Sequence, residues 1–230
     1  KYRNLGLANR LVSEWMNMCE NKITFPNDTA LKIYKKFEWR TSGEITRIIN
    51  TTFLDKIFLK KFIFKNKIKK LKVYKIDKSI IKDILEVETK NNSSEVLKIV
   101  RDETWFNWRF VQCPFLENIL CFQYDDQFIV AQLFEGKNKG RMNILYSTEN
   151  FLEESKIFQA IKLWALDQGI NFLWYISNVK NTRKNIFSKI LKKKMNFAYY
   201  TSNKELSKQL NYGINNIQAG DSDSGHLILF

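Results

Sequence analysis

Arg3-Asn4-Leu5-Gly6-Leu7-Ala8 runs directly into Asn9-Arg10-Leu11-Val12-Ser13-Glu14-Trp15-Met16, and this junction decides how the chain reads. Leu7, Leu11, Trp15 and Met18 recur at helical spacing, so residues 5–19 are expected to form an amphipathic helix headed by a small-residue loop. The first N–H groups of a helix have no partner inside it and carry the positive end of its dipole. A glycine at that end lets an anion approach the backbone, which favours a phosphate or pyrophosphate ligand.

Outward from this junction, Lys22 to Phe25 reads as a short strand ended by Pro26. Asn27 or Asp28 then caps a helix whose apolar side is Leu31, Ile33, Tyr34 and Phe37. Asn27, Ala30, Tyr34, Glu38 and Trp39 stand along it as a spaced ladder. Thr41 to Phe53 alternates and is β-rich around Gly43, so the opening part reads helix, strand, helix, strand.

A lysine-rich segment, Lys56 to Lys78, follows. A strand is expected over Leu71–Ile76, then helices over Ser79–Thr89 and Ser94–Arg101. Three apolar strands, Asn118–Tyr124, Gln127–Phe134 and Met142–Tyr146, are joined by turns at Asp125-Asp126 and Gly136–Gly140. A long helix over Glu153–Gln168 should end at Gly169, a helix-terminating residue. Ile170–Ile176 reads as a strand, Thr182–Lys192 as a basic helix and Met195–Thr201 as another strand. Glu205–Leu210 reads as a short helix and His226–Phe230 as a last strand. The helix–strand–helix–strand order thus occurs twice, and Asn185, Ser188, Lys192, Asn196 and Phe197 repeat the spacing of the earlier ladder.

Composition bounds the rest. An apolar fraction of 44% with eighteen Phe, nine Tyr and six Trp excludes a disordered chain and fills a substantial core. No apolar run approaches the ~20 residues a spanning helix needs, and no signal peptide is read. Cys19, Cys113 and Cys121 have no disulfide or zinc-site spacing, which suits a reducing, cytoplasmic setting. The net charge of +14 has two readings. Lys56–Lys78 could make peripheral contact with an anionic membrane, or the lysines are solvated faces of a lysine-biased chain with Phe58, Phe62 and Phe64 inward. Nucleic acid is disfavoured, since no recognised binding motif accompanies the charge.

The element order with the Arg3-x-x-Gly6-x-Ala8 loop resembles the GNAT superfamily of acyl-CoA-dependent N-acyltransferases. The family's Gln/Arg-x-x-Gly-x-Gly/Ala loop receives the CoA pyrophosphate, and Arg3, Gly6 and Ala8 match it. The ladder resembles the family's Asn-x-x-Ala-x-x-x-Tyr-x-x-x-Gly-Phe, with Asn27, Ala30 and Tyr34 matching, Glu38 replacing the glycine and Trp39 the phenylalanine. Later, Trp105, Trp108, Arg109, Phe110 and Pro114 resemble a Tyr/Trp-x-x-Trp-Arg-Phe/Tyr-x-x-x-Pro signature of a tandem variant found in bacterial surface-polysaccharide clusters. Gly220-Asp221-Ser222-Asp223 is similar to that variant's C-terminal Gly-Asp-x-Asp.

The resemblance implies a mixed α/β (α+β) fold with a mainly antiparallel central sheet flanked by helices. It divides the chain into the C-terminal part of a first, truncated domain (1–54), a basic connector (55–70) and a complete but degenerate second domain (71–230). The second domain departs where CoA would sit: Ser147 to Glu154 has no glycine and carries Glu149, Glu153 and Glu154.

By resemblance, acetyl-CoA or another acyl-CoA is the cosubstrate, held by Arg3, Asn4, Leu5, Gly6, Leu7, Ala8 and Asn27, with no metal. Tyr34 is the acid for the leaving thiolate. Trp105, Trp108, Arg109, Asp221 and Asp223 are candidates for binding a small-molecule amine, an aminosugar in surface-glycan assembly. Each residue also has a packing reading: a tight turn at Gly6, a helix face at Tyr34, core anchors at the tryptophans and an acidic turn at Asp221. No general base is identified, because His226 is the chain's one histidine and lies near its end. The expected function is therefore N-acyl transfer. The alternatives are a non-catalytic binding module of the same fold, or a basic membrane or nucleic-acid adaptor.

Overall fold

Alternating apolar runs and helical stripes assemble into a sheet covered by helices on both faces. A computed structural model describes residues 6–41, 45–52, 70–90, 99–112, 118–134, 140–149, 152, 155–177 and 189–212. The chain order is α1 (Leu7–Met18), β1 (Lys22–Thr24), α2 (Asp28–Lys35), β2 (Arg40–Thr41), β3 (Ile45–Thr51), β4 (Lys72–Lys75) and α3 (Lys78–Lys90). There follow α4 (Glu103–Phe106) with a π-helical turn (Asn107–Val111), β5 (Ile119–Tyr124), β6 (Gln127–Leu133) and β7 (Arg141–Ser147). The described chain ends with α5 (Lys156–Asp167), β8 (Phe172–Ser177), β9 (Lys189–Met195), β10 (Ala198–Tyr200) and α6 (Lys204–Tyr212).

Seven strands form one sheet in the order β4-β5-β6-β7-β8-β3-β9, and three form a second in the order β1-β10-β2. Every pairing is antiparallel except β7 with β8. Alternation along the strands supplies two apolar faces. Cys121, Phe128, Val130 and Tyr146 face a core shared with Ile81 and Ile84 of α3 and Phe106 of α4. Phe122, Ile129, Ala131 and Met142 face the other, packed on Ile157, Phe158, Ile161 and Ala165 of α5. The fold is thus mixed α/β with a mainly antiparallel sheet between helices, as the sequence implies.

The sheets interleave early and late chain. β3 lies between β8 and β9, while β10 lies between β1 and β2. Burial holds β3 in place: Ile48 is 1% exposed in the α5-side core, and burying such a side chain contributes about 1.5–3 kcal/mol. Arg47 also lies over the Trp174 ring of β8, 6.0 Å from its centroid.

Three sequence expectations need correction. Lys189–Lys192, expected at the end of a basic helix, is strand, because pairing with β3 (Ile48 opposite Lys192, Ile49 opposite Leu191) overrides its helical periodicity. The strand expected over Met195–Thr201 is broken at Asn196-Phe197, so that its two ends serve different sheets. Ile99–Arg101, expected as the end of a helix over Ser94–Arg101, is irregular and leads into α4, which Asp102 caps with its Oδ1 accepting from Trp105 N–H at 2.7 Å. The expected elements at 182–188 and 226–230 lie outside the described residues, as do most of the lysines of Lys56–Lys78. Of these, Lys72 and Lys75 are exposed on β4, the edge strand, where charge discourages further strand pairing.

Candidate functional site

The parallel pair is where the sheet opens. β7 and β8 pair only at Arg141–Phe172, Met142–Leu173 and Asn143–Trp174, although the strands continue to Ser147 and Ser177. Beyond Asn143 they part into a wedge. At the same place β7 carries a bulge: Tyr146 stands opposite Val130 and Ile144 opposite Ala131, so Leu145 has no partner on β6. A bulge re-aims side chains and frees backbone groups, and it recurs beside active sites.

The bulge turns Tyr146 into the α3–α4 core. There its hydroxyl donates to Glu88 Oε1 at 2.5 Å, its ring meets Phe106 edge-on at 4.9 Å, and Arg101 lies over it at 5.7 Å. Burial, and then the neighbouring Glu88 carboxylate, raise the phenol well above its ordinary pKa, so it remains a donor. The sequence pattern marked Tyr146 only as a strand residue and did not single out Glu88. A bulge leaves no trace in a run of apolar residues.

On the other side of the wedge the N-terminus of α5 is filled by the protein itself. Ser155 Oγ accepts from Phe158 N–H at 3.2 Å and donates to Leu152 O at 2.7 Å. Gln127 Oε1 accepts from Ile157 N–H at 3.1 Å. Gln127 also hydrogen-bonds the Glu149 carboxyl, whose pKa is nonetheless raised, chiefly by burial. With the Ile157 and Phe158 N–H groups used and a carboxyl bonded to the same Gln127, this helix end is poorly suited to a pyrophosphate.

The N-terminus of α1 differs in each respect. Gly6 caps it at φ 69° with no side-chain hydrogen bond, and no acidic residue lies in the first turn. A Cβ built on Gly6 would meet nothing within 4 Å. The open, left-handed glycine that the loop pattern requires is present. Arg3, Asn4 and Leu5 lie outside the described residues, while Leu7 and Ala8 form the exposed first turn.

The ladder residues lie along α2 and just past its end, where Tyr34 and Trp39 pack on Trp15 in the second half of α1. Asn27 is the N-cap of α2, its Oδ1 accepting from Ala30 N–H at 2.8 Å. Tyr34 sits half-buried among aromatics, 5.9 Å from the Trp15 ring and 4.9 Å from Trp39. Trp39 Nε1 donates to Met16 Sδ at 3.1 Å, tying α1 to the end of α2.

Glu38 occupies a position that glycine usually fills. Trp39 N–H bonds Tyr34 O at 3.3 Å, and the intervening Glu38 has φ 62°. α5 ends in the same way, with Ile170 N–H on Ala165 O at 2.7 Å and Gly169 at φ 72°. Holding a side chain in this region costs about 1–2 kcal/mol. Here the sequence departs from the family pattern at a backbone that still takes the glycine conformation.

The second aromatic group divides. Trp105 is half-buried against Phe106 and Phe110, at 5.1 and 5.4 Å. Trp108 is 55% exposed, with the buried Arg109 guanidinium 5.2 Å from its ring centroid. Asp221 and Asp223 lie outside the described residues. Among the described residues no group of three or more His, Cys, Asp or Glu side chains converges as metal ligands, and no helix is long and apolar enough to cross a membrane.

No family model matches the chain, and no curated protein sequence matches it. Solved structures do. A GCN5-related N-acetyltransferase from Kribbella flavida superposes with a TM-score of 0.51 at 12% identity, covering 86% of this chain and 49% of that one. A GCN5-related N-acetyltransferase from Anabaena variabilis ATCC 29413 has a TM-score of 0.51 at 11% identity, covering 85% of this chain and 51% of that one. The chain spans about half the length of these two proteins. At such identity the likeness is one of architecture, and the architecture agrees with the wedge and the helix-covered mixed sheet: the chain has a GNAT-like fold.

Proposed function

We propose that the chain is an N-acyltransferase that moves an acetyl or other acyl group from acyl-CoA to a primary amine, with an aminosugar of surface-glycan assembly as the acceptor. The observation that carries this reading is the head of α1, where an uncapped, left-handed Gly6 opens onto free space within a GNAT-like fold. First-turn N–H groups at Leu7 and Ala8, with the helix dipole, would hold the pyrophosphate. Acyl-CoA supplies the activated thioester carbonyl. Tyr34 presents a phenol that can give a proton to the departing thiolate, positioned by Trp15 and Trp39. Trp108, exposed and backed by Arg109, offers a flat face for a sugar ring.

Acetyl-CoA should raise the melting temperature of the full chain, and Gly6→Glu should abolish that rise by placing a carboxylate against the pyrophosphate. Release of free thiol in the presence of glucosamine should depend on Tyr34, falling at least tenfold in Tyr34→Phe. Absence of any thermal shift at millimolar acetyl-CoA would overturn the reading.

A further inference from the structure

A groove of about 700 Å³ lies where the exchanged strand β10 meets β2 and α6. Glu38 and Arg40 from the early chain and Tyr199, Tyr200, Asn203, Lys204, Ser207, Lys208 and Asn211 from the late chain share its lining. Its floor is built and held. Arg40 Nη1 donates to the hydroxyl of buried Ser207 at 2.8 Å, and the buried Tyr199 hydroxyl donates to Asn211 Oδ1 at 2.6 Å. The lining includes three cations, Arg40, Lys204 and Lys208, and one carboxylate, Glu38. Lys208 is only loosely engaged, 3.8 Å from Glu205 with both side chains largely exposed.

Glu38 is the telling member, since the backbone would take glycine there with less strain. Strain of this kind persists where a side chain has a task. From the groove, its fixed guanidinium and its strained carboxylate, we propose a binding site for a small anionic amine, a molecule carrying both a phosphate or carboxylate and a free ammonium. The anion pairs with Arg40, supported by Lys204 and Lys208, because a guanidinium binds such groups through paired donors. The ammonium pairs with Glu38, and Asn203, whose Oδ1 caps α6 by accepting from Glu205 and Leu206 N–H, also lines the groove. The volume falls within the range of small-molecule pockets. This site is independent of the Gly6 turn and stands whether or not the chain transfers acyl groups.

Phosphoethanolamine is the probe, with glycerol phosphate lacking the amine and ethanolamine lacking the phosphate. Phosphoethanolamine should raise the melting temperature of the full chain more than either partial ligand, and Arg40→Ala should remove the response. Glu38→Gly should raise the unliganded melting temperature, by about 2–4 °C, while erasing the preference for phosphoethanolamine over glycerol phosphate. Gly6→Glu should leave the response intact, which separates failure here from failure of the acyl-CoA reading. Sedimentation with phosphatidylethanolamine vesicles, competed by phosphoethanolamine, would assign the ligand to a lipid headgroup; soluble binding alone would assign a free metabolite. Equal responses to phosphoethanolamine and glycerol phosphate, no response to any probe, or unchanged selectivity in Glu38→Gly would overturn the proposal.

Discussion

The N-termini of α1 and α5 are two solutions to the same problem. Each helix begins with N–H groups that no helical carbonyl can satisfy. At α5 the protein satisfies them itself, through Ser155 Oγ and Gln127 Oε1, with Glu149 close by. At α1 a glycine stands in the cap position with no side-chain cap hydrogen bond, and a Cβ built on it would meet nothing within 4 Å. The first arrangement favours stability, and the second leaves donors for a ligand. The bulge and the parting of β7 and β8 therefore accompany a helix start that the protein's own side chains occupy, while the glycine-capped start lies on α1.

The largest effect expected from this contrast is on ligand-induced stabilisation. At a free acyl-CoA concentration of about 100 times Kd, binding adds about 2.7 kcal/mol. Calorimetry should find that Gly6→Glu removes all of it, while Glu149→Gln leaves it unchanged. Retention of the shift in Gly6→Glu would move the seat away from α1.

Next in size is Ser155→Ala. Losing this cap should destabilise the fold by about 0.5–2 kcal/mol in urea unfolding without altering any response to acyl-CoA. A wild-type midpoint would mean that α5 is closed by something other than Ser155.

The smallest effect is the pH dependence set by Glu149. Burial raises its folded-state pKa above the ordinary 4.5, so between those values the folded chain binds more protons than the unfolded one. Its contribution is full below about pH 4.5 and is lost as pH rises through the raised value. Glu149→Gln should therefore melt slightly higher than wild type at pH 7, with the difference narrowing and vanishing on acidification. A difference that stays constant from pH 4 to 8 would contradict the burial of this carboxyl.

Periodicity made much of the fold legible. A helix forms over the Leu7-Leu11-Trp15 spacing, although Leu7 and Leu11 stay exposed and Val12 is the buried residue; the apolar runs at 118–134 form β5 and β6, and Gly169 ends α5 at a positive φ. These features are local, because side-chain spacing and glycine's freedom act within one element. Lys189–Lys192 misled because its helical spacing was outweighed by pairing with β3, more than a hundred residues earlier in the chain. The loop and ladder motifs single out Gly6, Asn27 and Tyr34, which the structure places at the cap of α1, at the cap of α2 and between Trp15 and Trp39. The Leu145 bulge and the Tyr146–Glu88 bond were hidden, since register and cross-element contacts leave no spacing signature.

The sequence by itself determined most of the element types, the glycine at the head of α1, the acidic residues before α5 and the Glu38 departure from the glycine pattern. Each depends on a residue's own backbone preference or charge. Only the tertiary structure decided that β3 and β10 would exchange sheets, that β7 and β8 would part, and that Glu38 and Arg40 would line one groove with Lys204 and Lys208. Those outcomes arise from burial of long-range surfaces and completion of strand ladders, interactions between residues that are distant in the chain and adjacent only once it has folded.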